Sequence, residues 1–170
     1  MLTHPDPKTV IMHDARFQTF SEPTLLDQGD TAYIFHIAPE YVVKVLKSQH
    51  VAQEKIMLSH EFDMMKRVKY RCNIPMPRAE GIFALNVIEV TPVDTCEDIG
   101  LVMEYIPGIR GDRTSDDRKM KRKLKKLLWR SRQKGFDPQD HGLHNTIYHP
   151  DNDLLYIIDV AMWEQKERME

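Results

Sequence analysis

Asp140-His141-Gly142-Leu143-His144-Asn145, followed fourteen residues later by Asp159, is the most informative stretch of this 170-residue chain. An Asp and an Asn five positions apart, then a strand, a turn and a second strand ending in an Asp, can assemble one site. In such a site the first Asp orients a nucleophile, while the Asn and the last Asp hold Mg²⁺ against a nucleoside triphosphate. The D-x-x-x-x-N spacing alone is common by chance. Its weight comes from the N-terminal half, which supplies the remaining parts in order.

Outward from that stretch, Thr146-Ile147-Tyr148 and residues 154–158 predict a hairpin around the turn His149-Pro150-Asp151-Asn152-Asp153. Upstream, Ser115 or Asp116 can cap a helix running to about residue 134, with Gly135 closing it. Met120, Leu124, Leu127 and Leu128 form its apolar stripe, expected to pack on the hairpin. Ten basic residues among the seventeen of 118–134 then occupy its outer faces. That basic face is either solvated or meets an acidic protein or anionic lipid; with almost no aromatics beside Trp129, nucleic acid is disfavoured. Pro107-Gly108 marks a boundary between lobes. Before it, residues 81–90 and 99–106 read as a hairpin across the turn-rich Thr91-Pro92-Val93-Asp94. Residues 51–69, with neither Gly nor Pro, read as a helix whose apolar face carries Met57, Leu58, Phe62, Met64, Met65 and Val68. Residues 33–37 and 41–45 read as strands joined at Pro39-Glu40, and residues 1–20 as a loosely held arm.

Polar residues stand out against this pattern. Gly29, between two strands, either forms an ordinary hairpin turn or lets backbone N–H groups approach phosphate oxygens. Lys44 interrupts the apolar strand Val42-Val43-Lys44-Val45; it either projects to solvent or points into a cleft towards an anionic partner. Glu61 has Met57, Leu58, Met64 and Met65 around it on the helix, where an unpaired carboxylate would be costly to bury. A buried Glu61 facing Lys44 would satisfy both charges and fix the lysine for phosphate contact, with Glu54 as the second candidate.

In this order and spacing the chain resembles the protein-kinase-like superfamily, from Leu25 to Asp159. Asp27, Gly29 and Ala32 occupy the glycine positions of the Gly-rich loop, Lys44 the strand lysine and Glu61 its helical partner. Leu101-Val102-Met103-Glu104-Tyr105-Ile106-Pro107-Gly108 looks like the hinge, whose backbone from Glu104 to Ile106 would face adenine. This hinge and Ile74-Pro75-Met76-Pro77 are most similar to the RIO and aminoglycoside-phosphotransferase branches. The resemblance makes Asp140 the catalytic-loop Asp, Asn145 the metal-binding Asn and Asp159 the Asp of D-F-G. It implies an α+β, two-lobed fold: an N-terminal arm (1–20), an antiparallel N-lobe sheet with one helix (21–106) and a much reduced helical C-lobe (107–170).

The departures from the family are informative. Two loop glycines are missing, Pro138-Gln139 replaces His-Arg, and Val160-Ala161 replaces Phe-Gly. Without that Arg, control by a phosphorylated activation loop is not expected. Only eleven residues follow Asp159, which leaves no room for an activation segment or a peptide-docking floor. The size is similar to that of short kinase-like effectors that bacterial pathogens deliver into host cells.

With 41% hydrophobic and 29% charged residues, the composition is that of an ordinary globular domain. No apolar run approaches the ~20 residues needed to span a bilayer. No basic and apolar leader is visible at the N-terminus, and Cys72 and Cys96 fit no C-x-x-C pattern, so a cytoplasmic, reducing setting is expected. His141, His144 and His149 match no zinc-ligand spacing. The expected activity is ATP- and Mg²⁺-dependent phosphoryl transfer to a Ser or Thr hydroxyl of a protein substrate. A pseudokinase acting as a nucleotide-gated binding module and a small-molecule kinase are the alternatives.

Overall fold

The computed structural model describes residues 9–17, 19–20, 22–47, 51–88 and 95–166. The chain is α+β and forms two compact units, one of residues 1–59 with 79–105 and the other of residues 60–78 with 106–170. The strands are β1 (Thr9–Met12), β2 (Thr24–Gln28), β3 (Ala32–Ala38), β4 (Tyr41–Leu46), β5 (Ala79–Ile88), β6 (Thr95–Glu104), β7 (Ile109–Arg110), β8 (Phe136–Asp137), β9 (Thr146–His149), β10 (Leu154–Ile157) and β11 (Glu164–Gln165). The helices are α1 (Val51–Cys72), which runs from the first unit into the second, and α2 (Asp117–Gln133). Among the described residues, no helix is long and apolar enough to cross a membrane.

The first unit is a six-stranded antiparallel sheet in the order β1-β5-β6-β4-β3-β2. Alternation in β3 and β4 sends Phe35, Ile37, Val43 and Val45 to one face, where Val10, Met12, Phe17, Leu85 and Val102 join them in a continuous core. The expected loose arm is therefore partly structural. Thr9–Met12 pairs with β5, and Phe17 packs edge-on against Tyr41 and Phe83 at centroid separations of 5.0 and 4.8 Å. The sheet curls over this core, and the curl demands a glycine at 100. A Cβ there would collide with Val43 Cγ2 and stand 2.8 Å from Leu85 Cδ2.

The second unit combines helices with short strands. Beside α2 and the latter part of α1 it holds a β10-β9-β7 sheet and a β11-β8 pair. The α2 helix begins where the Asp116 side chain accepts from Lys119 N–H at 2.9 Å. It ends at Lys134 and Gly135, whose φ of +83° suits glycine. Met120, Leu124, Leu127, Leu128 and Ser131 are its buried face. Trp163 is buried too, whereas its neighbour Met162 is exposed.

Some of the basic residues on α2 hold the fold together. Asp153, in the β9–β10 turn, receives Lys119 Nζ at 2.6 Å, Lys123 Nζ at 3.0 Å and the Tyr148 hydroxyl at 2.7 Å. Lys119, then Tyr148 and Lys123, hold its carboxyl well below the ordinary 3.8.

Two outcomes follow from this packing. Gly100→Val overfills the curl and should cost about 1–3 kcal/mol, read as a lower denaturant midpoint at unchanged slope. Because the Asp153 pKa is depressed on folding, its contribution is present above the unfolded value of about 4 and is lost as pH falls below it. Asp153→Asn should therefore lower Tm at pH 7 and shrink the gap to the native chain as pH drops towards 3, measured by thermal melts across that range.

Candidate functional site

The sequence from Phe136 to Asp159 folds into a loop and hairpin that bring three polar residues together. Pro138 is buried, and its carbonyl lies 2.9 Å from His141 Nδ1. Between them Asp140 adopts φ +47°, a left-handed conformation that Asp tolerates better than most side chains. This turn exposes the Asp140 carboxylate and aims its carbonyl at Asn145, whose Nδ2 donates to it at 2.7 Å. The same amide nitrogen lies 3.3 Å from Asp140 Oδ2. A short 3₁₀ turn, Leu143–Asn145, sets that geometry, closed by Asn145 N–H on the Gly142 carbonyl at 3.1 Å.

Asp159 is brought up by the end of β10. Ile158 N–H donates to the Asn145 carbonyl at 3.0 Å, and Ile157 N–H to the Pro75 carbonyl at 3.1 Å. Beyond them, Asp159 Oδ1 accepts from Ala161 N–H at 3.0 Å. Asn145 and Asp159 line one small crevice together with Gly142, Thr146 and Trp163. Because Asn145 Nδ2 faces Asp140, its Oδ1 is turned the other way. That oxygen and the Asp159 carboxylate are hard donors of the kind Mg²⁺ takes, so the residues present suit that ion.

The other expected site residues divide between the units. Gly29, Ala32, Lys44 and Glu104 belong to the first; Glu61 and Ile106 belong to the second. Lys44 lies on the sheet face opposite Val43 and Val45 and is only 4% exposed, so it does not project to solvent. Glu61 is 1% exposed, but Glu54 is equally hidden at 2%. Both sit on one α1 stripe, Glu54, Leu58, Glu61, Met65, Val68 and Cys72, at alternating steps of four and three. Met57, expected on that face, is 41% exposed.

Gly29 acts as a hairpin turn. Its N–H donates to the Ala32 carbonyl at 3.0 Å, and a Cβ there would meet nothing closer than that oxygen at 4.0 Å. The Ala32 side chain is buried in the sheet. At the expected hinge, Tyr105 N–H donates to the Glu40 carbonyl at 2.7 Å, and the Ile106 side chain is buried.

The three histidines have separate surroundings. His141 contacts Pro138, while His149 Nδ1 is buried without a hydrogen-bond partner among the described residues. His144 Nε2 lies 3.4 Å from Asp140 Oδ1. His144, weighed from the sequence only as a zinc ligand, is thus a neighbour of Asp140. Its i,i+4 spacing from Asp140 was the available signal.

No family model matches the chain, and no curated protein is significantly similar to it.

The Asn145 side-chain amide ties the loop to Asp140, while its backbone carbonyl accepts Ile158 N–H at the end of β10. Asn145→Ala should cost about 1 kcal/mol for the lost hydrogen bond. Its signature should be faster exchange of the residue-145 N–H in the Leu143–Asn145 turn, with Ile158 and the six-stranded sheet unaffected.

Proposed function

We propose that the chain is an ATP- and Mg²⁺-dependent phosphotransferase with a minimal, two-lobed protein-kinase-like fold, acting on a Ser or Thr hydroxyl of a protein substrate. The observation that carries this reading is the Asn145 amide. Its nitrogen holds the Asp140 carbonyl, and Asn145 and Asp159 line one crevice. In this reading one loop and hairpin supply a carboxylate for the nucleophile and oxygens for a cation.

In this reading Asn145 and Asp159 would hold Mg²⁺, which would supply charge neutralisation to the nucleotide phosphates. Lys44, aligned by Glu61, takes the α- and β-phosphates, and the backbone of Glu104 and Ile106 takes adenine. Asp140 accepts the hydrogen bond of the attacking hydroxyl. A bond forms from that hydroxyl oxygen to the γ-phosphorus as the bond from phosphorus to the β–γ bridging oxygen breaks. ADP leaves, and the hydroxyl proton passes late to Asp140. The buried state of Lys44 and Glu61 supports the scheme, since ionised side chains are withdrawn from water only where partners compensate them.

One observation favours a different class, a nucleotide-gated binding module without catalysis. The Gly29 N–H is engaged by Ala32, which leaves that donor unavailable to a phosphate.

The test is incubation of the protein with γ-labelled ATP and Mg²⁺ in a cell lysate. Label is expected on a protein acceptor, and Asp140→Asn should lower it by ~10²–10⁴-fold while ATP binding persists. Equal labelling by Asp140→Asn would overturn its assignment. ATP binding with no labelled protein would favour the non-catalytic module, and label in a low-molecular-weight product would favour a small-molecule kinase.

A further inference from the structure

The second unit holds another concavity that shares no residue with the Asp140–Asp159 site. Arg71, Lys134, Gly135, Gln165 and Lys166 line an open basin of about 470 Å³. That volume falls within the ~300–1,000 Å³ typical of small-ligand sites.

Three separate pieces of chain build the basin. Arg71 stands in the last turn of α1, and Lys134 is the residue that ends α2. Gly135, left-handed at φ +83°, turns the chain so that its carbonyl accepts Lys166 N–H at 2.8 Å. Beside them the Gln165 Oε1 accepts from Arg67 Nη1 at 3.2 Å, which directs the Gln165 NH₂ group away from Arg67. Three cations and an amide donor therefore share one hollow.

Their charge is poorly compensated. Lys166 Nζ has Asp137 Oδ2 at 3.1 Å. Among the described residues, neither Arg71 nor Lys134 has a carboxylate within ion-pair distance. Cations near helix C-termini are ordinarily favoured by the carbonyl dipoles, which accounts for Arg71 and Lys134 one at a time. It does not account for Lys166, which belongs to no helix. The field of the first two reaches inward as well: burial pushes the Cys72 thiol up, while Ser131 and then Lys134 and Arg71 pull it down.

We propose that this basin binds a small, multiply charged phosphate compound of the pyrophosphate or polyol-phosphate class. Three cations suit an anion of comparable charge, and guanidinium, ammonium and amide N–H groups are the donors that phosphate oxygens take. Among the described residues, no aromatic or branched aliphatic side chain lines the hollow, so these residues offer a nucleobase or an acyl chain nothing to pack against. The ligand is a compact anion, held apart from the residues proposed for phosphoryl transfer.

The test is calorimetric titration of the full chain with inorganic pyrophosphate at low salt, with EDTA present. Saturable binding is expected, at least tenfold weaker in an Arg71→Gln, Lys134→Gln double variant and recovered in Arg71→Lys, Lys134→Arg. All four substitutions are at exposed positions, and unchanged circular dichroism would show that the fold is kept. Binding should also weaken steeply with added salt. No binding by the native chain, or equal binding by the glutamine double variant, would overturn the proposal.

Discussion

Three ionisable side chains, Lys44, Glu54 and Glu61, are withdrawn almost completely from water, and none of them lacks a partner. An isolated charge so placed would cost several kcal/mol or titrate away. Their burial is therefore a constraint on the fold, because each must meet compensating groups. It fixes the rotation of α1, since Glu54 and Glu61 share the stripe of Leu58, Met65 and Val68. It also fixes the register of β4. A slip by one residue would exchange Lys44 for Val43 and send a charge into the Phe35 and Val102 core.

The hairpin of β9 and β10 plays the corresponding part in the second unit. Its turn is gripped by α2 through Asp153, and its far end delivers Asp159 beside Asn145. One element thus connects helix packing to the placement of two oxygen donors. The left-handed Asp140 and Asp153 stand at opposite ends of this construction, each held by hydrogen bonds to its surroundings. Backbone strain of this kind persists where the neighbouring structure over-determines it.

Much of the local structure was legible because its causes are local. The α2 helix carries a capping Asp116, an apolar stripe at helical spacing and a closing Gly135, all within twenty residues. The strands β3 and β4 show β-branched and aromatic alternation across a Pro39-Glu40 turn. What escaped was structure whose partners are distant. Thr9–Met12 is four residues long and becomes a strand only by pairing with β5, more than seventy residues on. Phe136–Asp137 and Glu164–Gln165 are too short to show any period. Lys119 and Lys123 read as solvated cations because Asp153 lies thirty residues or more away in sequence.

For the candidate site, the sequence by itself determined which residue types are present and in what order: the lysine in an apolar strand, the glutamates of a helix stripe, and the Asp, Asn and Asp around one hairpin. Periodicity also determined that Glu61 belongs to a buried face, because a helix repeats its faces every three to four residues. Only the tertiary structure decided that Glu54 is as deeply buried as Glu61, that Met57 is not, and that the Gly29 N–H is engaged within its own turn. It alone brought Asn145 against Asp140 and gathered Arg71, Lys134 and Lys166 around one basin. The physical reason is the same in each case. Burial and hydrogen bonding are relations between groups far apart in sequence, and side-chain chemistry encodes the capacity for such relations without specifying the partner.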